Sequence, residues 1–127
     1  NYFILIRVIR RCCQNIIASQ TYEGGVSNIE GGEAHGGYTF CGVAALSLLG
    51  RLEDIDVARL TFWLSRRQCE FGGFNGRTNK LLDSCYSFWV GAIFNIVNNY
   101  FGKQISYQNH LLYSEKDLQN YVTFFCQ

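Results

Sequence analysis

The chain states one pattern twice. Gln20-Thr-Tyr-Glu-Gly24-Gly25 recurs as Gln68-Cys-Glu-Phe-Gly72-Gly73, and the same forty-eight-residue offset lays His35 on Asp83, Tyr38 on Tyr86 and Phe40 on Phe88. Self-similarity at a period of about 40–50 residues marks stacked supersecondary units, none of which can bury its apolar face alone. Where the copies differ, chemistry can be written in: His35-Gly-Gly-Tyr38 in the first, Asp83-Ser-Cys85-Tyr86 in the second.

Proline is absent, and glycine clusters at 24–42 and 72–76, which places the loops there. Between them the apolar spacing is helical. Residues from about Phe3 to Ser19 read as one apolar-rich core helix that ends at the first glycine pair. Tyr38, Cys41, Ala45, Leu48 and Leu49 form a small-residue stripe that stops at Gly50, a residue suited to a helix C-terminus. A second helix is expected over about 56–67, with Asp56 at its N-cap and Arg66 and Arg67 at its negative end. The second copy predicts helices from about Asp83 or Ser84 to Asn98 and from about Ser114 to Cys126.

The helix after Asp83 is apolar nearly all round, as an inner helix covered on both sides would be. Each repeat is thus a glycine loop, a buried helix, a short connector and an outer helix. The fold class is all-α, built of helical hairpins; closed on themselves such pairs make an α-α toroid around a central cavity, left open they make a solenoid. The expected repeats are 20–67 and 68–126, flanked by a partial helix at 1–19, within one incomplete domain over 1–127. The start at Asn1 rather than Met, and Gln127 opening a third copy of the motif, carry that expectation of incompleteness.

Eleven basic against ten acidic residues leave a formal charge of +1, so nothing in the balance favours nucleic acid, and any anion site must be local. The apolar opening Tyr2–Arg11 is interrupted by Arg7, Arg10 and Arg11 before it reaches the ~20 residues of a membrane span. Six cysteines without a recurrent paired spacing fit a reduced, cytoplasmic setting better than a disulfide framework.

Asp83 and Cys85 put a carboxylate and a thiol two residues apart at the start of a helix, and both are zinc-ligand types. Taken alone, the pair also reads as a capping aspartate beside a small buried cysteine. Arg77 and Lys80 precede it in the same loop, and His35 occupies the equivalent loop of the first copy. Cations beside glycine-loop amides suit phosphate or diphosphate, although Arg-x-x-Lys by itself is also an ordinary solvated surface. Lined up with His35 and Tyr86 at one end of neighbouring inner helices, they form a funnel. Tyr38, Phe40, Phe88 and Trp89 would wall it below, with ordinary core packing the better reading for Phe40 and Phe88.

Glu33-Ala-His35-Gly-Gly-Tyr38-Thr-Phe-Cys41-Gly and Gly72-Gly-Phe-Asn-Gly-Arg77-Thr-Asn-Lys80-Leu-Leu-Asp83-Ser-Cys85-Tyr86-Ser-Phe-Trp89 closely resemble the β subunits of protein prenyltransferases, the farnesyltransferase members best. The resemblance is specific from about Gln20 to Trp89 and looser to Gln127. It implies transfer of a farnesyl group from farnesyl diphosphate to the cysteine of a C-terminal CaaX motif, in a heterodimer with an α subunit. It implies zinc on Asp83 and Cys85, with the family's third ligand, a histidine, absent from this chain; His110 matches no family ligand. A magnesium requirement stays open. It further implies that His35, Arg77, Lys80 and Tyr86 hold the diphosphate, the last three acting in catalysis, and that Tyr38, Cys41 and Trp89 line the isoprenoid tunnel. Tyr38 after His-Gly-Gly resembles the farnesyl enzymes, the type I geranylgeranyl β subunits tending to a small hydroxyl residue there. Small GTPases are the expected kind of CaaX substrate. The alternatives are a type I geranylgeranyltransferase β subunit and a non-catalytic helical-repeat binding protein.

Overall fold

The computed structural model describes residues 1–102, 106–107 and 110–125. Among the described residues the α-helices are α1 (Tyr2–Ala18), α2 (Gly36–Leu48), α3 (Val57–Leu64), α4 (Cys85–Phe101) and α5 (Glu115–Phe125). Two residue pairs, Ser106–Tyr107 and His110–Leu111, form an antiparallel ladder between α4 and α5. The expected third motif copy at Cys126-Gln127, and with it the end of the second repeat, lies outside the described residues.

The repeat signature is a hydrogen-bonding device. Gln20 Nε2 donates to the Gly24 and Asp56 carbonyls at 2.9 Å each, and its Oε1 accepts from the Asp56 N–H at 2.9 Å. Gln68 repeats this with Gly72 at 2.9 Å and with the carbonyl and N–H of Ser114 at 2.8 and 2.7 Å. Each glutamine therefore pins its own glycine loop to the residue that starts the following outer helix, satisfying backbone groups that a helix end leaves open. The glycines allow this closeness. A Cβ on Gly24, at φ +110°, would lie 2.0 Å from the Arg59 carbonyl oxygen, and one on Gly72, at φ +88°, 2.3 Å from that of Asp117.

The clamp also corrects the period. Loops and inner helices keep the forty-eight-residue offset, but Asp56 answers to Ser114, so the second repeat carries ten additional residues before its outer helix. Those residues are the end of α4, three residues longer than the spacing predicts, and the segment containing the strand pair. Asp56 caps α3 as expected, its Oδ1 accepting from the Arg59 N–H at 3.0 Å, and Gly50, at φ +64°, follows the end of α2.

Helices α2 and α4 pack in parallel as the inner layer, joined where the Gly36 N–H donates to the Gly76 carbonyl at 2.7 Å. Trp63 of α3 is the largest fully buried side chain and fills the space beneath the first glycine loop, against Gly25 and Ala34. Tyr121 of α5 does the same beneath Gly73. Leu46, Leu52, Leu60, Phe74, Val90 and Ile93 are among the other buried core residues; removing an aromatic anchor such as Trp63 costs about 3–5 kcal/mol.

Three expectations change. Helix α3 stops at Leu64, and Arg67, expected as a dipole partner at its end, is instead buried: its guanidinium stacks 4.7 Å from the Trp63 ring and its Nε donates to the Trp63 carbonyl. In α1 only Cys13 is fully buried, and Tyr2, Phe3, Ile4 and Leu5 are exposed, because α2 and its loop cover only the C-terminal half. Inner helix α4 is not covered all round either; Phe88, expected in the core, is 58 % exposed, whereas Phe40 packs against the core. The five described cysteines are free thiols. Among the described residues no helix is long and apolar enough to cross a membrane.

Candidate functional site

His35 and Asp83, matched by the repeat but different in chemistry, occupy one backbone geometry. The His35 and Asp83 N–H groups donate to the carbonyls of Val26 and Phe74, each at 3.1 Å. Each side chain then turns back onto its helix: His35 Nδ1 accepts from the Gly37 N–H at 3.1 Å, and Asp83 Oδ1 from the Cys85 N–H at 2.9 Å. A cap needs an acceptor, and imidazole and carboxylate both supply one. The parallel helices bring both caps to the same end of the inner layer.

With Nδ1 committed as an acceptor, neutral His35 carries its proton on Nε2, and that nitrogen faces Tyr86 Oη at 3.0 Å. Tyr86 stands edge-on to the imidazole, ring centroids 5.7 Å apart, and the Tyr38 ring is tilted against it at 5.2 Å. Space for Tyr86 comes from two glycines: a Cβ on Gly76 would fall 2.0 Å from its Cζ, and one on Gly36 3.1 Å from its Cδ1. Burial holds the His35 pKa below 6.5, helped by Arg77 and opposed by Glu33. Burial also pushes the Tyr86 phenol up, with the charges of Cys85 and Asp83 adding and that of Arg77 subtracting.

Arg77 reaches back to the first repeat, its Nη1 2.8 Å from Glu33 Oε2. Lys80 follows on the same loop and is exposed; the turn before it passes through Asn79 in the left-handed region, φ +60°. The structure thus gathers His35, Tyr86, Tyr38 and Arg77 at one rim, with Lys80 exposed on the same loop.

Asp83 and Cys85 are both exposed beside this rim, so the reading of Cys85 as a small buried residue does not hold. The Cys85 N–H and then its thiol hold the Asp83 carboxyl below its usual range. Burial, then the hydrogen bond to Asp83 and its charge, push the Cys85 thiol up. Their chemistry, one carboxylate and one sulfur already in contact, fits part of a zinc donor set. Among the described residues no third histidine, cysteine, aspartate or glutamate joins them.

The apolar candidates divide. Tyr38 and Cys41 line an open cleft of about 350 Å³ between α1 and α2, with Ile16 and Val26. Trp89 lies elsewhere, in an aromatic triad with Phe40 and Phe88 whose centroids are 5.0–5.3 Å apart. The sequence reading missed Glu33, Gly76 and the clamp glutamines as parts of the site; the recurrence of Gln20 as Gln68 was the signal for the last.

Residues 3–127 match the family described as the prenyltransferase alpha-alpha toroid domain. The chain is 47% identical over 111 residues to protein farnesyltransferase subunit beta of Schizosaccharomyces pombe, an alignment covering 85% of this chain and 29% of that protein. It is 57% identical over 77 residues to the Pisum sativum protein of the same name, covering 61% and 18%. Geranylgeranyl transferase type-1 subunit beta of Arabidopsis thaliana is 41% identical over 93 residues, covering 65% and 25%. Among solved structures, Candida albicans protein geranylgeranyltransferase-I complexed with GGPP matches with a TM-score of 0.69 at 30% identity, over 92% of this chain and 36% of that one. The chain spans less than a third of the length of these curated relatives.

Proposed function

Because this chain belongs to the prenyltransferase α-α toroid family, we propose that it is part of a protein farnesyltransferase β subunit that moves a farnesyl group from farnesyl diphosphate to the cysteine of a CaaX tail. The observation that carries this reading is the rim at which His35 and Tyr86 meet at 3.0 Å beside Arg77, next to the Asp83–Cys85 pair. Such a rim puts anion-binding donors beside a carboxylate and a thiol of zinc-ligand type, which thioether formation at a diphosphate ester requires.

The chain's own residues have distinct tasks in this reaction. As the carbon–oxygen bond breaks, negative charge grows on the departing diphosphate, and the donors that meet it are His35 Nε2–H, the Tyr86 hydroxyl, Arg77 and Lys80. His35 acts as a neutral donor at pH 7, since its pKa lies below 6.5. Tyr86 stays protonated, its pKa being raised, and so remains a donor throughout. Tyr38, Cys41 and Trp89 would contact the isoprenoid chain and help exclude water from the reacting carbon. Asp83 and Cys85 would hold zinc, with a third ligand from outside this chain; when bound, zinc lowers the pKa of a coordinated substrate thiol from about 8.5 and so supplies thiolate near neutral pH. An α subunit completes the enzyme, and a magnesium ion on the diphosphate is compatible with the same donors.

A second reading, transfer of geranylgeranyl, is favoured by the 41% identity to the type-1 geranylgeranyl subunit and by the Candida structure. Tyr38 supports farnesyl: a tyrosine after His-Gly-Gly resembles the farnesyl enzymes, and its ring stands half exposed at the rim, 5.2 Å from His35. The test is competition between the two lipid diphosphates for a CaaX peptide, using the complete β chain that carries this segment with its α subunit. Preferred transfer of farnesyl is expected. Preference for geranylgeranyl would move the assignment to the second reading, and no transfer of either would leave a non-catalytic binding repeat.

A further inference from the structure

We propose that Glu33 is a positioning residue for Arg77, holding the guanidinium by one nitrogen so that its remaining N–H groups are presented to an incoming diphosphate; this rests on the prenyl-transfer reading. Glu33 stands on the first glycine loop, two residues ahead of His35, and reaches across to the second. Its Oε2 lies 2.8 Å from Arg77 Nη1. A guanidinium has five donors in a fixed fork, so one contact leaves an edge free.

The neighbouring bonds show that this segment is held from the first repeat at three successive residues. The Gly76 carbonyl accepts from the Gly36 N–H at 2.7 Å, Arg77 pairs with Glu33, and Thr78 Oγ1 donates to Glu23 Oε2 at 2.7 Å. Thr78 in turn accepts from Nη2 of buried Arg67 at 3.4 Å. Backbone and threonine are therefore fixed without Glu33. Only the arginine side chain, 40% exposed, depends on it. An arginine of that exposure loses rotamer freedom when it meets an anion, and a tether that has already removed the freedom lowers the cost of binding.

A carboxylate beside an anion site also repels, so charge and position pull in opposite directions. The amide of glutamine separates them, because it keeps an acceptor for Arg77 and drops the charge. In the assembled complex, Glu33→Ala is expected to lower kcat about fivefold and weaken inorganic diphosphate binding by a similar factor, as suits a half-exposed pair. Glu33→Gln should stay within about twofold of the parent, and Glu33→Ala should add nothing in an Arg77→Ala background. Turnover and calorimetric titration of inorganic diphosphate measure these. An additive loss in the double variant would make Glu33 a loop support only, tighter diphosphate binding in Glu33→Ala would make it a competitor, and equal losses in Gln and Ala would remove position as the cause; each overturns the proposal. If the parent complex transferred no isoprenoid, the prenyl-transfer reading would fall, while the diphosphate titration would still decide the role of Glu33.

Discussion

Gly76→Ala tests the rim at its tightest point. Gly76 is not among the glycines with positive φ, so alanine suits the backbone and the effect is one of contact. The new Cβ would lie 2.0 Å from Tyr86 Cζ and 2.3 Å from Cε1 and Oη. Ordinary carbon contacts begin near about 3.5 Å, so the ring must retreat by roughly 1.5 Å. Retreat of that size carries Oη away from His35 Nε2, now at 3.0 Å, and beyond hydrogen-bonding range. Overpacking of about 1–3 kcal/mol adds to the loss of one hydrogen bond worth about 1 kcal/mol, for a total of roughly 2–4 kcal/mol. If Tyr86 donates to the leaving diphosphate as proposed, misplacing it by this much should cost about a hundredfold in rate. Urea denaturation of the complete β chain reads the first quantity and farnesyl transfer the second. In a Tyr86→Ala background the stability cost of Gly76→Ala should vanish, since the clashing ring is gone. A cost that persisted there, or a silent Gly76→Ala, would refute the contact argument.

Other outcomes follow from the same geometry. Gln68→Ala should destabilise by about 2 kcal/mol, as three hydrogen bonds to Gly72 and Ser114 are lost, and Gln68→Glu by more, because a carboxylate would face two carbonyls; chemical denaturation ranks the two. His35, whose pKa is depressed below 6.5, binds fewer protons folded than unfolded. Its stabilisation is full above pH 6.5 and is lost as pH falls through the folded value, so Tm should drop as pH falls below 6.5, and less steeply in His35→Asn, which keeps a capping acceptor. Cys85→Ala should abolish both bound zinc, read by elemental analysis, and transfer, whereas Lys80→Ala should keep the metal and slow transfer; equal metal loss in both would contradict the assigned roles.

The helices were legible because their signals are local. Asp56 as a cap, Gly50 after α2 and the three-and-four spacing through Val57, Leu60, Trp63 and Leu64 all act within a few residues. The alignment of His35 with Asp83 was legible too, and the reason is now physical: both are acceptors on the same backbone turn. Glu33 was not, since its partner lies 44 residues away and no periodicity marks a glutamate in a glycine loop. Arg67 misled for a related reason. Two arginines after a helix suggest solvated charges, but Trp63 and Thr78 offer one of them a place inside. Phe88 misled in the opposite direction, because apolarity alone does not reveal which flank of an inner helix its neighbours cover.

The glutamine clamp gives α3 and α5 the same kind of berth, whatever the route the chain takes to reach it. Gln68 secures the start of α5 at Ser114 although that route is ten residues longer than the one from α2 to Asp56. The link between an inner helix and the outer helix that follows it is thereby freed from setting where that outer helix docks. Loops there can lengthen and acquire contacts of their own, while the caps carrying His35 and Asp83 stay in register.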